Sequence, residues 1–552
     1  MDFMIWFLKI HLILFFCFSI QENRKAIKEE KKQDAKFQEI IVSCKSLSGY
    51  DAKTYRTLLP QVMASLFAAS LHIAVGLSLS FSGILVPGLD RALQNGTDEN
   101  GELYATKDQS AFIASVAVMV VPIGAISAGF AMDSWGRLWA VRFAIIPTVI
   151  GWCCIASAPN ITMLIVGRIF TGFGTAWGSI PATVYITEIA RADMRGSLVV
   201  TAPSLASLGM LIVFLQGWFL HWRTVAWLSN IYAIFPIFLL FLIPESPAWL
   251  VSRGKIEEAV KSLKWLNKYQ PQPENRHESY AELQLNFLQK EHQKKLEEQA
   301  RVGDTGSLAK FKEFLKPTGY KPLLILSGLF FFQQFAGIYI TLFYSVTFFQ
   351  EVGSTINPYL ASTFLCLIRM LMACSNTYFL KTFNRRSLLI TSGFGMAICT
   401  GMSGLFTHLN KNVTSMIGFL PIPWTMTAEL FSLEIRGVAN SIAYSIGNLL
   451  MFASIQSFWG LIDIFNGFAG VQWFFAVISI MASVYTYIFV PETHRKKLSE
   501  ITDYFKENGI YLLSKEKAPK KQVNTDKPAT RVGKKDIVIA SNGQNEKLIQ
   551  NV

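Results

Sequence analysis

Charge is scarce in this chain of 552 residues. Lys, Arg, Asp and Glu together make up only 16% of it, where a soluble domain carries about 25%. The deficit is uneven. Long stretches hold almost no ionisable side chain, and a few short segments hold most of them. That excludes an ordinary aqueous globule and matches membrane spans separated by wet loops.

Cysteine is also sparse. Its seven positions, Cys17, Cys44, Cys153, Cys154, Cys366, Cys374 and Cys399, show neither metal-ligand spacing nor a place in a loop assigned to the outside. A disulfide framework and a metal site are therefore not expected, and Cys153 and Cys154 read as small packed hydrophobes. There is no nucleophile–base set and no phosphate-binding glycine loop, so an enzyme is not expected and no cofactor is implied. The first 20 residues are apolar but lack a basic start and a small-residue cleavage site, which argues against a secretory signal. They read as an interfacial segment or a mis-assigned start.

What the chain has in abundance is apolar length. Hydrophobic residues make up 51% of it, with 43 Phe. A helix rises about 1.5 Å per residue, so crossing about 30 Å of hydrocarbon takes roughly 20 apolar residues. Twelve windows qualify as candidates: 59–86, 110–131, 138–158, 161–184, 198–219 and 224–243, then 322–349, 358–380, 387–408, 413–428, 437–459 and 467–490. Six spans, a long polar loop and six more spans divide the chain into a cytoplasmic extension at 1–57, an N-terminal bundle at 58–250, a helical linker at 251–321, a C-terminal bundle at 322–493 and a polar tail at 494–552. The linker holds an amphipathic stretch, Ile256 to Leu266, and the tail has the composition of a disordered segment.

The net charge of +13 does not point to nucleic acid, because the excess flanks apolar spans, where it retains loops in the cytoplasm and meets anionic lipid. Arg137 and Arg142, Arg191 and Arg195, Lys381, Arg385 and Arg386, and His494 to Lys497 all fall on one side under even alternation. Both termini are then cytoplasmic. The sequons at Asn95, Asn160 and Asn412 fall on the other side, and only Asn95 lies in a loop long enough to be a comfortable glycosylation site.

The halves repeat one another. Glu188 to Gly196 and Glu429 to Gly437 both read E-x6-R-G, each between the fourth and fifth span of its half. Asp133-Ser-Trp-Gly136-Arg137 has a weaker counterpart in Lys381-Thr-Phe-Asn-Arg385-Arg386. Two such halves place a substrate site at the midplane between them, exposed to each side in turn as the halves rock. Asp133, Gly136, Arg137, Glu188, Arg195, Glu245, Arg385, Glu429 and Arg436 are then candidates for a cytoplasmic gate whose ion pairs form and break. The plainer reading is that the charges only anchor the topology.

The ordered motifs resemble the sugar porters of the major facilitator superfamily from about Leu58 to Ser499. They are Gly129-x3-Asp133-x2-Gly136-Arg137, Gly167-Arg168 with Gly172-x-Gly174, Tyr185-x2-Glu188-x6-Arg195-Gly196, Pro244-Glu245-Ser246-Pro247-x-Trp249-Leu250, Gln333-Gln334-x2-Gly337-Ile338, Pro421-x-Pro423-Trp424-x4-Glu429 and Pro491-Glu492-Thr493. Short stretches such as Phe241 to Pro247 are most similar to the insect facilitated trehalose transporter subgroup. The resemblance implies an all-α membrane protein with the major facilitator fold: two six-helix bundles joined by a cytoplasmic helical linker, in the cell membrane, with monomer favoured as its state. It implies a carrier for trehalose or a hexose, held by Gln333, Gln334 and Trp424. Carboxamides both donate and accept, which suits hydroxyls, and an indole can lie on a sugar ring. Helix–helix hydrogen bonding is the alternative use of the Gln pair.

The departures from the family pattern concern the same pocket. Tyr339 stands where Asn is usual, Arg369 replaces Asn on span 8, Gly447-Asn448 replaces Asn-Trp on span 11, and Pro203 replaces Gln on span 5. Tyr339, Arg369 and Asn448 join the candidate substrate contacts on that basis. Arg369 either faces the cavity, where it would select an acidic solute, or snorkels to an interface. Proton-coupled relatives carry a carboxylate on span 1 that pairs with the span 4 arginine. Here Ser78 takes that place and no acid lies between Leu58 and Gly88, so facilitated diffusion is expected and Arg168 lacks its usual partner. Span 10, Thr414 to Ala428 with two prolines, covers only about 22 Å. It is distorted, or the chain lacks part of a helix. A non-transporting sensor or degenerate paralogue and an organic-anion carrier are therefore kept beside the sugar carrier.

Overall fold

A computed structural model of the chain describes residues 55–95, 103–191, 194–270, 279–302, 317–351, 356–409 and 436–492. Helix is the only regular structure among them. Backbone groups in hydrocarbon must be paired within their own segment, and a helix does this without a neighbour.

The first span is three consecutive helices, α1 (Tyr55–Ala69), α2 (His72–Ser80) and α3 (Ser82–Asn95). Next come α4 (Lys107–Trp135), α5 (Arg137–Phe143) with α6 (Ile145–Ala156), α7 (Ile161–Ile189), α8 (Arg195–Val199) with α9 (Thr201–Phe219), and α10 (Trp222–Phe241). Thr106 and Gln109 form a reciprocal capping box at the start of α4, and Asn160 caps α7. Three further helices follow: α11 (Pro247–Ser252), α12 (Ile256–Leu266) and α13 (Tyr280–Val302). They bury Trp249, Leu250, Leu263 and Leu285 in a small core of their own, so the linker is packed rather than merely solvated.

The second half runs α14 (Pro317–Phe335), α15 (Ile338–Phe343), α16 (Ser345–Glu351), α17 (Pro358–Thr382), α18 (Arg385–Leu409), α19 (Arg436–Gln456), α20 (Phe458–Ile464) and α21 (Phe468–Phe489). Nine of the described helices are long and apolar enough to cross a membrane, and a tenth crossing is a pair, Ile442–Gln456 with Phe458–Ile464, bent by 48°. The window at 322–349 is not one straight helix. It breaks at Gly337, whose φ of 89° is left-handed. The window at 413–428, with Trp424 and Glu429, lies outside the described residues.

The two halves meet along two seams. α4 packs on α19, and α9 packs on α17. These are the second span against the eleventh and the fifth against the eighth, equivalent positions exchanged between halves. A Ser115 hydroxyl donating to Gln456 Oε1 at 2.9 Å ties the first seam. Cys374 and Ser204 come within polar reach of each other across the second. Lipid offers no hydrophobic drive between helices, so seams of this kind depend on close packing and a few polar links.

Candidate functional site

Asp133, Arg137 and Glu188 form a charged cluster at one end of the first half. Arg137 opens α5 and Glu188 closes α7. The Arg137 Nε and Nη2 groups donate to the Glu188 carboxylate at 2.9–3.1 Å, and Nη1 donates to the Met132 carbonyl at 3.1 Å and to Asp133 at 3.3 Å. Such a planar fork on a carboxylate is the strong form of an ion pair. The Ser246 hydroxyl, which the sequence reading did not single out, donates to Glu188 as well. Gly136 has φ 112°, and a Cβ there would stand 2.7 Å from Glu245 Oε2. That close approach lets Glu245 accept the Leu138 and Ser246 N–H groups at 2.9–3.2 Å. Burial pushes the Glu245 carboxyl above its ordinary value, opposed by those two N–H groups and by Arg137 and Arg142. Arg195, by contrast, is exposed at the start of α8.

The second half repeats the cap. Glu492 accepts the N–H groups of Arg385 and Arg386 at 3.0 and 3.2 Å, as Glu245 does for Leu138. Sequence reading quoted Pro491-Glu492-Thr493 as a motif but assigned Glu492 no role. The comparison with Pro244-Glu245 was the available signal. Acceptors at a helix start are worth about 0.5–2 kcal/mol. Glu492→Ala is therefore expected to lower stability by about 1 kcal/mol, read as a fall in the thermal midpoint of the detergent-solubilised protein. An unchanged midpoint would show that the cap carries no weight.

Arg168, seven residues into α7, is fully buried. Its guanidinium donates to the Ser78 carbonyl at 2.8 Å, the Ser82 hydroxyl at 2.7 Å, the Ile113 carbonyl at 3.3 Å and the Ala114 carbonyl at 3.4 Å. Neutral oxygens thus occupy the place where a carboxylate was sought. The side chain that reaches Arg168 is Ser82, one turn beyond Ser78, and Ser78 contributes only its backbone.

A second polar group lies between the halves. Asn448 is buried and donates to the Tyr444 carbonyl at 2.8 Å. The Tyr444 phenol lies within polar reach of Asn448 and, across the interface, of Ser179 of α7, and within electrostatic reach of Tyr339. Tyr339 is buried in α15, with the Arg369 guanidinium 5.6 Å from its ring centroid. The structure thus links four predicted or neighbouring contacts in sequence: Arg369, Tyr339, Tyr444 and Asn448. Gln333 and Gln334 are both buried, and among the described residues Gln333 Oε1 and both amide atoms of Gln334 have no hydrogen-bond partner. Gln333 faces a narrow crevice lined by Phe332, Ala336, Leu389, Ser479 and Thr486. That crevice lies within the second half. Arg436 opens α19. Asn95 is the last residue of α3. Among the described residues no group of three or more His, Cys, Asp or Glu could hold a metal.

Comparison with known proteins places this geometry. The family model described as sugar (and other) transporter matches residues 64–505. A facilitated trehalose transporter, Tret1, of Apis mellifera ligustica is 30% identical over 81% of this chain and 88% of its own length. Its counterpart in Culex quinquefasciatus is 30% identical over 80% of this chain and 85% of its own. Among solved structures, the proton:xylose symporter XylE bound to 6-bromo-6-deoxy-D-glucose aligns with a TM-score of 0.61 at 21% identity, over 81% of this chain and all of that one. The inward-open xylose transporter XylE from E. coli gives the same score at 21% identity, over 80% of this chain and 98% of that one. These last likenesses concern fold.

Proposed function

The chain belongs to the sugar (and other) transporter family, and on that premise we propose that it carries a sugar of the trehalose or hexose class across the cell membrane by facilitated diffusion. The observation that carries this reading is the set of buried, unpaired amides on α14 together with the polar contact that Tyr444 makes across the halves. Buried polar atoms are almost always paired in a finished structure. A polyhydroxylated solute supplies the missing donors and acceptors. Rocking of the 58–250 bundle against the 322–493 bundle about the α4–α19 and α9–α17 seams would present the site to each side in turn.

The cytoplasmic clusters set that rocking. Arg137, Glu188, Ser246 and Glu245 brace the first half, and Glu492 braces the second through the start of α18. Among the described residues their pairings lie within each half. Glu429 and Arg436 are the proposed cross-links between halves, and both termini lie on that cytoplasmic side.

Arg168 supports uniport. Its N–H groups are taken by neutral oxygens that do not titrate near pH 7, so no proton is exchanged there during the cycle. The test is uptake of labelled trehalose and glucose into proteoliposomes at two external pH values. Sugar should reach the external concentration and stop, with the same final ratio at both. Titration of Glu245 would alter the rate only. Accumulation above that ratio under a proton gradient would overturn the uniport reading, and absence of any flux would overturn the carrier.

A further inference from the structure

The membrane-depth charge of this protein has one sign. The twelve apolar windows contain no Asp and no Glu, yet Arg142, Arg168 and Arg369 lie within them. Arg142 sits near a helix start, donates to the Leu240 carbonyl and lies over the Trp139 and Phe241 rings. Arg168 is engaged by four oxygens. Arg369 is different. Among the described residues it has no hydrogen-bonded oxygen and no carboxylate. Its contacts are the face of Tyr339 at 5.6 Å and the Cys366 thiol within electrostatic range.

Snorkelling does not account for it. Arg369 lies eleven residues from Pro358 and thirteen from Thr382 in α17, roughly 16 Å and 20 Å along the axis from the two ends. The face it occupies is also settled. Phe364, Ile368, Leu371 and Ser375 form one exposed stripe, and Ser362, Cys366, Met370 and Ala373 form the buried stripe opposite. At about 100° per residue, Arg369 falls some 55° from the middle of the buried stripe and about 130° from the exposed one. Asn376, two turns on, shares its direction to within about 20°. Asn376 is fully buried, and among the described residues neither atom of its amide has a partner.

An uncompensated guanidinium at mid-depth is costly, and such residues mark pathways and counter-ions. Tyr339 offers it only a ring face, a weaker interaction than a charge-assisted hydrogen bond. We propose that Arg369 is an anion subsite of the sugar path. It would take the carboxylate or phosphate oxygens of an acidic sugar, with the amide of Asn376 pairing a hydroxyl. The proposal rests on the carrier reading above and narrows its substrate.

The test uses the full chain in proteoliposomes with three probes: glucose, glucuronate and glucose 6-phosphate. At least one acidic sugar should be preferred over glucose by roughly 10- to 100-fold in kcat/KM, the range expected of one hydrogen bond to a charged group. Its uptake should rise when the vesicle interior is made positive, because a net charge then moves with each cycle. Preference for glucuronate identifies a carboxylate, and preference for glucose 6-phosphate identifies a phosphate. Arg369→Gln should abolish the preference and the voltage response, and Arg369→Lys should retain part of both. If the variants do not reach the membrane, preference and voltage response of the natural protein decide. Flux of glucose with neither acidic sugar moving nor competing would overturn the subsite and leave the carrier standing. Equal preference in Arg369→Gln would likewise overturn it. No flux of any probe would overturn both.

Discussion

Gly76→Ala is expected to cost about 3 kcal/mol of stability and to remove most folded protein from the membrane. Gly76 lies on α2 where it crosses α9. A Cβ there would stand 1.9 Å from the Ala206 carbonyl oxygen and 2.8 Å from its carbon. The contact is reciprocal, since a Cβ at Gly209 of α9 would stand 2.1 Å from the Ile73 carbonyl oxygen. Small residues let transmembrane helices approach until backbones touch, and much of the association comes from that contact. Overpacking costs about 1–3 kcal/mol when side chains can move aside. Here the obstruction is backbone, so the upper end applies, and about 3 kcal/mol is more than a hundredfold in the folded ratio. The measurement is the thermal midpoint and the monodisperse yield after detergent extraction. Gly395→Ala is the control, because a Cβ there meets nothing within 4 Å and alanine suits a helix better than glycine. A Gly76→Ala protein with the natural midpoint would show that α2 and α9 do not pack as described.

Arg137→Ala is expected to lower stability by about 2–3 kcal/mol and to slow transport severalfold or more. Side-chain exposure is 13% for Arg137 and 20% for Glu188. Exposed pairs contribute about 0–1 kcal/mol, and removing one partner of a buried pair costs about 3–5 kcal/mol. This pair lies between those limits and closer to the buried one. The truncation strands the Glu188 carboxylate, leaving it the Ser246 hydroxyl, and frees the Met132 carbonyl at the α4–α5 turn. Glu188→Gln should be milder, because the amide oxygen still accepts from Arg137. A double-mutant cycle separates the pair from its surroundings, with a coupling of at least about 1 kcal/mol expected between touching residues. Additive single and double effects would mean that the two charges only anchor the topology.

The charged repeat is legible because Glu188-x6-Arg195-Gly196 recurs as Glu429-x6-Arg436-Gly437, and a repeated E-x6-R-G is visible without coordinates. Arg369 was legible as an anomaly, a charge inside an apolar run, but its direction was not. Sequence alone left it between cavity and interface. The buried and exposed stripes of α17 decide that question, because they depend on which neighbours α17 has. Ser82 was missed in favour of Ser78 for a similar reason. Both are on the first span, and only the depth at which α7 crosses it determines whose hydroxyl reaches Arg168. Asn376 and Tyr444 carry no motif. The first is remarkable chemically only once its amide is seen buried without a partner, and the second only once Ser179 is found beside it.

What the sequence determined by itself was everything set by a local window: that the chain crosses a bilayer repeatedly, and that it does so as helices in two matched groups. Lipid enforces those properties segment by segment, since each stretch must pair its own backbone and match the hydrocarbon on its own length. Tertiary structure alone decided the rest: the break at Gly337, the backbone contact at Gly76, the cap at Glu492 and the inward direction of Arg369. Each depends on which helix stands beside which, and at what depth. Hydropathy does not encode these relations, because one apolar helix surface is as soluble in lipid as another.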